Sequence, residues 1–168
     1  CDNDRLVDLD DDGVPEVMRG GIVFDAMGRV VDASLGLHAY NNGVFPVVAD
    51  VDADGRMELV SGDGVWEWVG ATWARETWAS TATTRGHVAI ADFGDFPGTQ
   101  AWPAATPEVA VIADGTARVQ TLDGTIVFGP IALPAGGNGG PPTIADFDGD
   151  DRPELAAAGA RAYSVFDL

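Results

Sequence analysis

Lysine is absent from the 168 residues, and nine arginines oppose 27 carboxylates for a formal charge of −18. A surface this negative speaks against nucleic acid and anionic membranes as partners. It suits divalent cations, or solubility alone. Cysteine occurs once, at Cys1, so no disulfide can form within the chain. That thiol could pair with a segment outside the sequence or, heading Cys1-Asp2-Asn3, carry a lipid. No apolar run approaches the roughly 18 residues of a membrane helix. Glycine (22) and proline (10) interrupt every longer window that would hold a helical period. Histidine is limited to His38 and His87, and His87 stands at a structural position just before a strand. A glycine-rich phosphate loop, a Ser/His/Asp arrangement and a Cys/His cluster are all missing, so the sequence reads as non-enzymatic. Yet 46% of the chain is apolar, too much for a disordered acidic tail.

What is present repeats. "DLDDDGVPEV" (8–17), "DVDADGRMEL" (50–59) and "DFDGDDRPEL" (146–155) match position for position. An altered copy opens with "DFGD" (92–95), and "FPGTQAWPAATP" (96–107) separates it from Glu108. The copies begin at 8, 50, 92 and 146; the longer last step holds 8 extra residues in the third loop and 4 in the stretch "PAGGNGGPP" (134–142), so the period is about 42. A short β-type run precedes each copy, as in "PVVAD" and "PTIAD", and another follows, as in "MELVSG". Glycine-bearing turns then lead to alternating runs such as "GVWEWVG" and, in the first three units, to a fourth run such as "RVVDAS". The units fall at about 1–44, 45–86, 87–140 and 141–168.

Four short antiparallel strands in a unit of ~40–45 residues, repeated in tandem, predict an all-β chain of β-propeller blades, about four in number. A single such sheet cannot bury both faces, so the blades must stack. A β-solenoid or sandwich is the alternative. The last unit stops after its third strand, which predicts a segment of a larger ring, or a ring completed by other chains; a closed four-blade ring is the competing arrangement. The edge at "ARAYSVFDL" is expected to invite strand pairing.

The acidic loop lies between the first and second strand of each unit, with the pattern D-x-D-x-D-G-x-x-E. Positions 1, 3 and 5 send carboxylates to one side, the glycine at position 6 permits a tight turn, and position 7 turns its carbonyl inward. Position 9 returns a carboxylate from the next strand. Five or more oxygens around one centre suit Ca²⁺ better than Mg²⁺, which prefers a strict octahedron and dehydrates reluctantly. An EF-hand would require glutamate at position 12 and flanking helices; Arg19, Ser61 and Ala157 stand there instead, between strands. A merely hydrated loop is the competing reading. Carboxylates ~4 Å apart repel by about 1 kcal/mol per pair even in water, and three registered copies of that load favour the cation. Three ions would bring the formal charge from −18 to −12.

The stretches "ADVDADGRMELVSGDG" and "IADFDGDDRPELAAAG" resemble FG-GAP/VCBS-type repeats, the calcium-bearing blades of integrin α-subunit propellers and many bacterial surface proteins. The resemblance covers nearly the whole chain. It implies metal ligands at Asp8, Asp10, Asp12 and Glu16, at Asp50, Asp52, Asp54 and Glu58, and at Asp146, Asp148, Asp150 and Glu154. The backbone carbonyls of Val14, Arg56 and Arg152 would complete the three sites. The chain departs from the family pattern in Glu at position 9, Asp151 in place of glycine at position 6, and the broken third loop. There Asp92, Asp95 and Glu108 form at best a weaker site, with loss of the metal as the competing reading. The resemblance further implies an extracellular or cell-surface setting, with a protein or glycan ligand held by loops on the propeller faces.

Five tryptophans remain. Trp66, Trp68, Trp73 and Trp78 crowd one stretch, and Trp102 sits in the third-loop insertion. Packing between adjacent blades is the expected role; a stacking surface for sugar rings is the alternative, most apt for Trp102. The expected function is a calcium-stabilised binding or adhesion module, with a lectin-like propeller or the propeller domain of a polysaccharide lyase as the alternative.

Overall fold

The computed structural model describes residues 4–36, 46–79, 83–94, 96 and 106–168. Cys1, His38, Asp95 and Trp102 therefore lie outside the described residues. The four repeat units become four antiparallel sheets with meander order. The first holds β1 (Asp4–Val7), β2 (Glu16–Arg19), β3 (Ile22–Phe24) and β4 (Val30–Asp32). The second holds β5 (Val47–Ala49), β6 (Glu58–Ser61), β7 (Gly64–Val69) and β8 (Thr72–Arg75). In the third are β9 (His87–Ala91), β10 (Glu108–Ala113), β11 (Thr116–Gln120) and β12 (Ile126–Ala132). The fourth has three strands, β13 (Thr143–Ala145), β14 (Glu154–Ala158) and β15 (Tyr163–Phe166). The all-β expectation is met at this level. Contacts between sheets run in chain order, β4 with β8, β5 and β6 with β9, and β9 with β13. Among the described residues the first and last sheets share no comparable contact, so the stack of sheets is not closed.

Short strands and tight turns follow from local chemistry. At the β10–β11 hairpin, Asp114 and Gly115 both take positive φ (49° and 75°). That is the two-residue turn whose twist matches the strands it joins, and Asp-Gly is a favoured pair there. Burial then explains which strands alternate and which do not. Every residue of β6 and of β10 is buried, because a sheet packs on each side. In β2 only Met18 is buried, because one face alone is covered.

Three apolar layers fill the gaps. Between the first and second sheets, Met18 and Val23 meet Leu59, Trp66, Trp68 and Trp73. Trp68 and Trp73 meet edge to face with centroids 4.9 Å apart, and the Arg75 guanidinium lies 4.9 Å from the Trp66 ring centre. These tryptophans are inter-sheet packing, and each is under a tenth exposed. Between the second and third sheets, Val51, Val60 and Val65 pack on Val88, Val109 and Val111. Between the third and fourth, Ala110, Ile112 and Val119 pack on Leu155 and Ala157. Burial of one such leucine or valine contributes about 1.5–3 kcal/mol.

One polar clamp crosses the second gap. The Arg118 guanidinium, buried on β11, donates to the carbonyls of Gly62 (3.3 Å) and Thr84 (2.5 Å) and to Gln120 Oε1 (2.9 Å). Gly62 is required for the approach, since a Cβ there would lie 2.6 Å from the Thr84 carbonyl oxygen.

Candidate metal centres

Each acidic segment connects the first strand of its sheet to the second, where the sequence pattern put it. The backbone curls in the same way three times. Position 4 takes positive φ at Asp11 (58°), Ala53 (61°) and Gly149 (85°), and position 6 does so at Gly13 (85°), Gly55 (90°) and Asp151 (68°). Asp151 thus adopts the conformation that glycine takes in the other loops, as aspartate can in the left-handed region.

These two reversals turn backbone N–H groups inward onto the carboxylates. The position-6 N–H donates to the position-1 Oδ2 from Gly13 to Asp8 (2.9 Å), Gly55 to Asp50 (3.1 Å) and Asp151 to Asp146 (3.1 Å). The position-7 N–H donates to the position-5 Oδ1 from Val14 to Asp12 (2.7 Å), Arg56 to Asp54 (2.9 Å) and Arg152 to Asp150 (2.9 Å). Each bond occupies one lone pair of a carboxylate and leaves others free to coordinate. At Asp146 these N–H donors, Gly149 first, hold the carboxyl below its ordinary range.

The glutamate at position 9 opens the second strand of each sheet and closes the loop. One of its oxygens accepts the position-2 N–H, from Leu9 to Glu16 (3.0 Å), Val51 to Glu58 (2.8 Å) and Phe147 to Glu154 (2.6 Å). The interrupted copy keeps the same clasp, from Phe93 to Glu108 at 2.9 Å. Nothing in the acidic pattern announced this bond; only the recurrence of Glu eight residues after the first aspartate hinted that its length matters.

The carboxylates converge. Ligand atoms of Asp146, Asp148, Asp150 and Glu154 all lie within 4.8 Å of one another, as do those of Asp8, Asp10 and Glu16, and those of Asp50, Asp52 and Glu58. Asp12 and Asp54 stand in the same loops but outside these groupings. Val14 is largely exposed, and the Arg56 side chain turns away to pair with Glu67 at 2.5 Å. In the interrupted copy the Gly94 N–H donates to Asp92 Oδ1 (2.9 Å), and among the described residues Asp92 and Glu108 join no group of three.

The residues fit a hard dication, and Glu58 gives the sharpest test. It is 1% exposed, its Oε2 is bonded to the Val51 N–H, and its Oε1 is buried without a hydrogen-bond partner among the described residues. A buried carboxylate oxygen left bare costs stability. Burial, with Asp52 and Asp50 beside it, pushes the Glu58 carboxyl up to about 8. Asp52 is raised as well, by burial first and then by Asp54. A cation among these oxygens would supply what the protein does not.

His87 opens β9 opposite Ile112 rather than preceding the strand; it is buried, and burial lowers its pKa. No helix of the described residues is long and apolar enough to cross a membrane.

No family model and no curated protein matches the sequence. Among solved structures, the chain is similar to the crystal structure of the V. cholerae biofilm matrix protein Bap1, with a TM-score of 0.60 and 20% identity. The match covers 98% of this chain and 26% of that one, so the chain spans about a quarter of the structure it resembles. At that identity the likeness concerns the fold alone.

Proposed function

We propose that this chain is a calcium-stabilised β-propeller segment of FG-GAP/VCBS type, a non-enzymatic binding or adhesion module of a secreted or cell-surface protein. The observation that carries the reading is the same three-to-four-carboxylate grouping in three equivalent hairpins, one of them containing the orphaned Glu58 oxygen. Asp8, Asp10 and Glu16 would hold one ion, Asp50, Asp52 and Glu58 a second, and Asp146, Asp148, Asp150 and Glu154 a third. Asp12 and Asp54, with the carbonyls of Val14, Arg56 and Arg152, are the remaining oxygens the repeat pattern offers. Bound calcium would neutralise the loops and fix the hairpin between the first two strands of each sheet. Face-to-face stacking of four-stranded meanders supports blades of a propeller.

The name of the structural neighbour, a biofilm matrix protein, agrees with an adhesive, extracellular role. There, calcium at millimolar concentration fills sites of modest affinity. A sugar-stacking role finds no support at Trp66, Trp68 and Trp73, whose rings are buried between sheets. Thermal unfolding in calcium and in EDTA tests the proposal. Calcium should raise the melting point in a concentration-dependent way, magnesium much less. An identical melting point in both media would refute the metal sites.

A further inference from the structure

In the first three units the second residue of the loop is apolar and buried, although its neighbours stand in solvent. Leu9 is 5% exposed, Val51 4% and Phe93 8%. Asp10, Asp50, Asp52, Asp92 and Gly94, which flank them, are exposed. Each of the three side chains belongs to the apolar layer toward the following sheet. Leu9 lies with Met18, Leu59 and Trp66 between the first and second sheets. Val51 lies with Val60, Val88 and Val109 between the second and third, and Phe93 with Ala110, Ile112 and Leu155 between the third and fourth. Each loop is thus anchored by one side chain outside its own hairpin, in the contact between two sheets.

The same residue carries the N–H that grips the loop glutamate, from Leu9 to Glu16 (3.0 Å), Val51 to Glu58 (2.8 Å) and Phe93 to Glu108 (2.9 Å). A side chain and its own N–H share one Cα, so seating the side chain in the layer fixes where the N–H meets the carboxylate. It also fixes where the chain leaves toward the aspartate on either side. We propose that Leu9 and Val51 are positioning residues for the cations of the first and second loops. Plugged into the layer, each holds its glutamate by the bonded oxygen and sets the spacing of Asp8 and Asp10, or of Asp50 and Asp52. The stacking of the following sheet thereby sets the calcium affinity of the loop. Linkage makes the effect reciprocal: calcium in the loop tightens the contact with the next sheet by the same factor. Groups that orient metal ligands cost roughly 10–100-fold in affinity when they are removed. Phe93 is the control within the same molecule. It is plugged and bonded in the same way, in a loop whose carboxylates form no group of three among the described residues.

This inference rests on the calcium reading of the loops, and its test separates the two. Calorimetric titration of calcium into the calcium-free chain, well below its melting point, counts the ions and gives their Kd values. Leu9→Ala and Val51→Ala each vacate one plug and keep the N–H and every carboxylate. Each should weaken one ion by about tenfold or more and leave the others at wild-type affinity. Val51→Ala removes only two methyl carbons, so the fold is retained and can be checked by melting. Leu9→Met, which conserves volume, should bind calcium as wild type does. Phe93→Ala should lower the melting point and leave every calcium affinity unchanged. If Leu9→Ala and Val51→Ala lowered the melting point without changing any Kd, the plugs would be ordinary core residues; the inference would be overturned and the metal sites would stand. An equal loss of calcium affinity in Phe93→Ala would overturn it too, since general loosening would then explain the effect. A wild-type chain that takes up no calcium would remove the sites and the coupling together.

Discussion

Replacing Glu58 by Gln separates a metal ligand from a mere hairpin clasp, because the two roles predict opposite signs. In the ion-free protein the Glu58 carboxyl is pushed from 4.5 to about 8. Near neutral pH it must therefore hold a proton that the unfolded chain would have released. That costs roughly 3 kcal/mol at about pH 7, taken as an upper bound. Glutamine carries no such penalty, and its side-chain oxygen can still accept the Val51 N–H. In EDTA the Glu58→Gln protein should melt no lower than wild type, and up to about 6–12 °C higher at about 2–4 °C per kcal/mol. In calcium the order should reverse. Each occupied site adds about 2.7 kcal/mol at a hundredfold excess over Kd, and the variant forfeits one of three such contributions. Differential scanning calorimetry in the two media reads both signs at once. If the variant were destabilised equally with and without calcium, Glu58 would be a clasp and nothing more.

The remaining predictions use the same contrast. Asp52→Ala should lower the calcium-induced rise in melting point by about a third while changing little in EDTA; an undiminished rise would remove Asp52 from the ligands. Glu108→Gln, in the interrupted loop, should leave the calcium response at its wild-type size, because among the described residues Asp92 and Glu108 belong to no group of three; a smaller response would restore a fourth site. Arg118→Ala should cost about 1–3 kcal/mol by urea unfolding, since the Thr84 carbonyl loses its charged donor while the Gly62 carbonyl keeps Gln120 and Thr83 as donors; a neutral outcome would show that the clamp adds no stability. For pH, a carboxyl raised on folding stabilises only while protonated. Ion-free protein should therefore lose stability as pH climbs from about 4.5 towards about 8. Calcium, which favours the carboxylate, should flatten that decline; a melting point equally steep in both media would dissociate Glu58 from the ion.

Much of this was legible in the sequence because the repeat is strong at two levels. The 42-residue spacing located strands, and the D-x-D-x-D-G-x-x-E pattern located the hairpins that hold the acidic groups. What was not legible depends on contacts between distant residues or on backbone states without a sequence marker. Ala53 takes a positive φ that its identity does not advertise, and only comparison with Gly149 in the equivalent place gives a hint. Gly149 at position 4 and Asp151 at position 6 exchange the residue types of the first loop, Asp11 and Gly13, while keeping its backbone shape. The repeat pattern says nothing of Arg118, which is buried against Gly62, 56 residues earlier. The full burial of β6 and β10 reflects the sheets on either side, which a single unit cannot reveal.

The glutamate at position 9 shows how structure and site share one residue. Aspartate, one methylene shorter, would have to reach both the position-2 N–H and the loop centre from the start of a β-strand. Glutamate accepts the N–H with one oxygen, and at Glu16, Glu58 and Glu154 a carboxylate oxygen lies within 4.8 Å of the loop's aspartate ligands. The third loop separates the two duties. Glu108 keeps its bond to the Phe93 N–H although it stands 16 residues after Asp92 instead of 8 and Gly94 replaces the second aspartate. The clasp therefore belongs to the hairpin and is kept where, among the described residues, the carboxylates form no group of three. In the other three loops the aspartates add charge that the clasp does not use, and Glu58 is buried with an oxygen that has no hydrogen-bond partner among the described residues. Carboxylates in excess of what folding needs, arranged at ligand spacing, are what a site for an external dication requires.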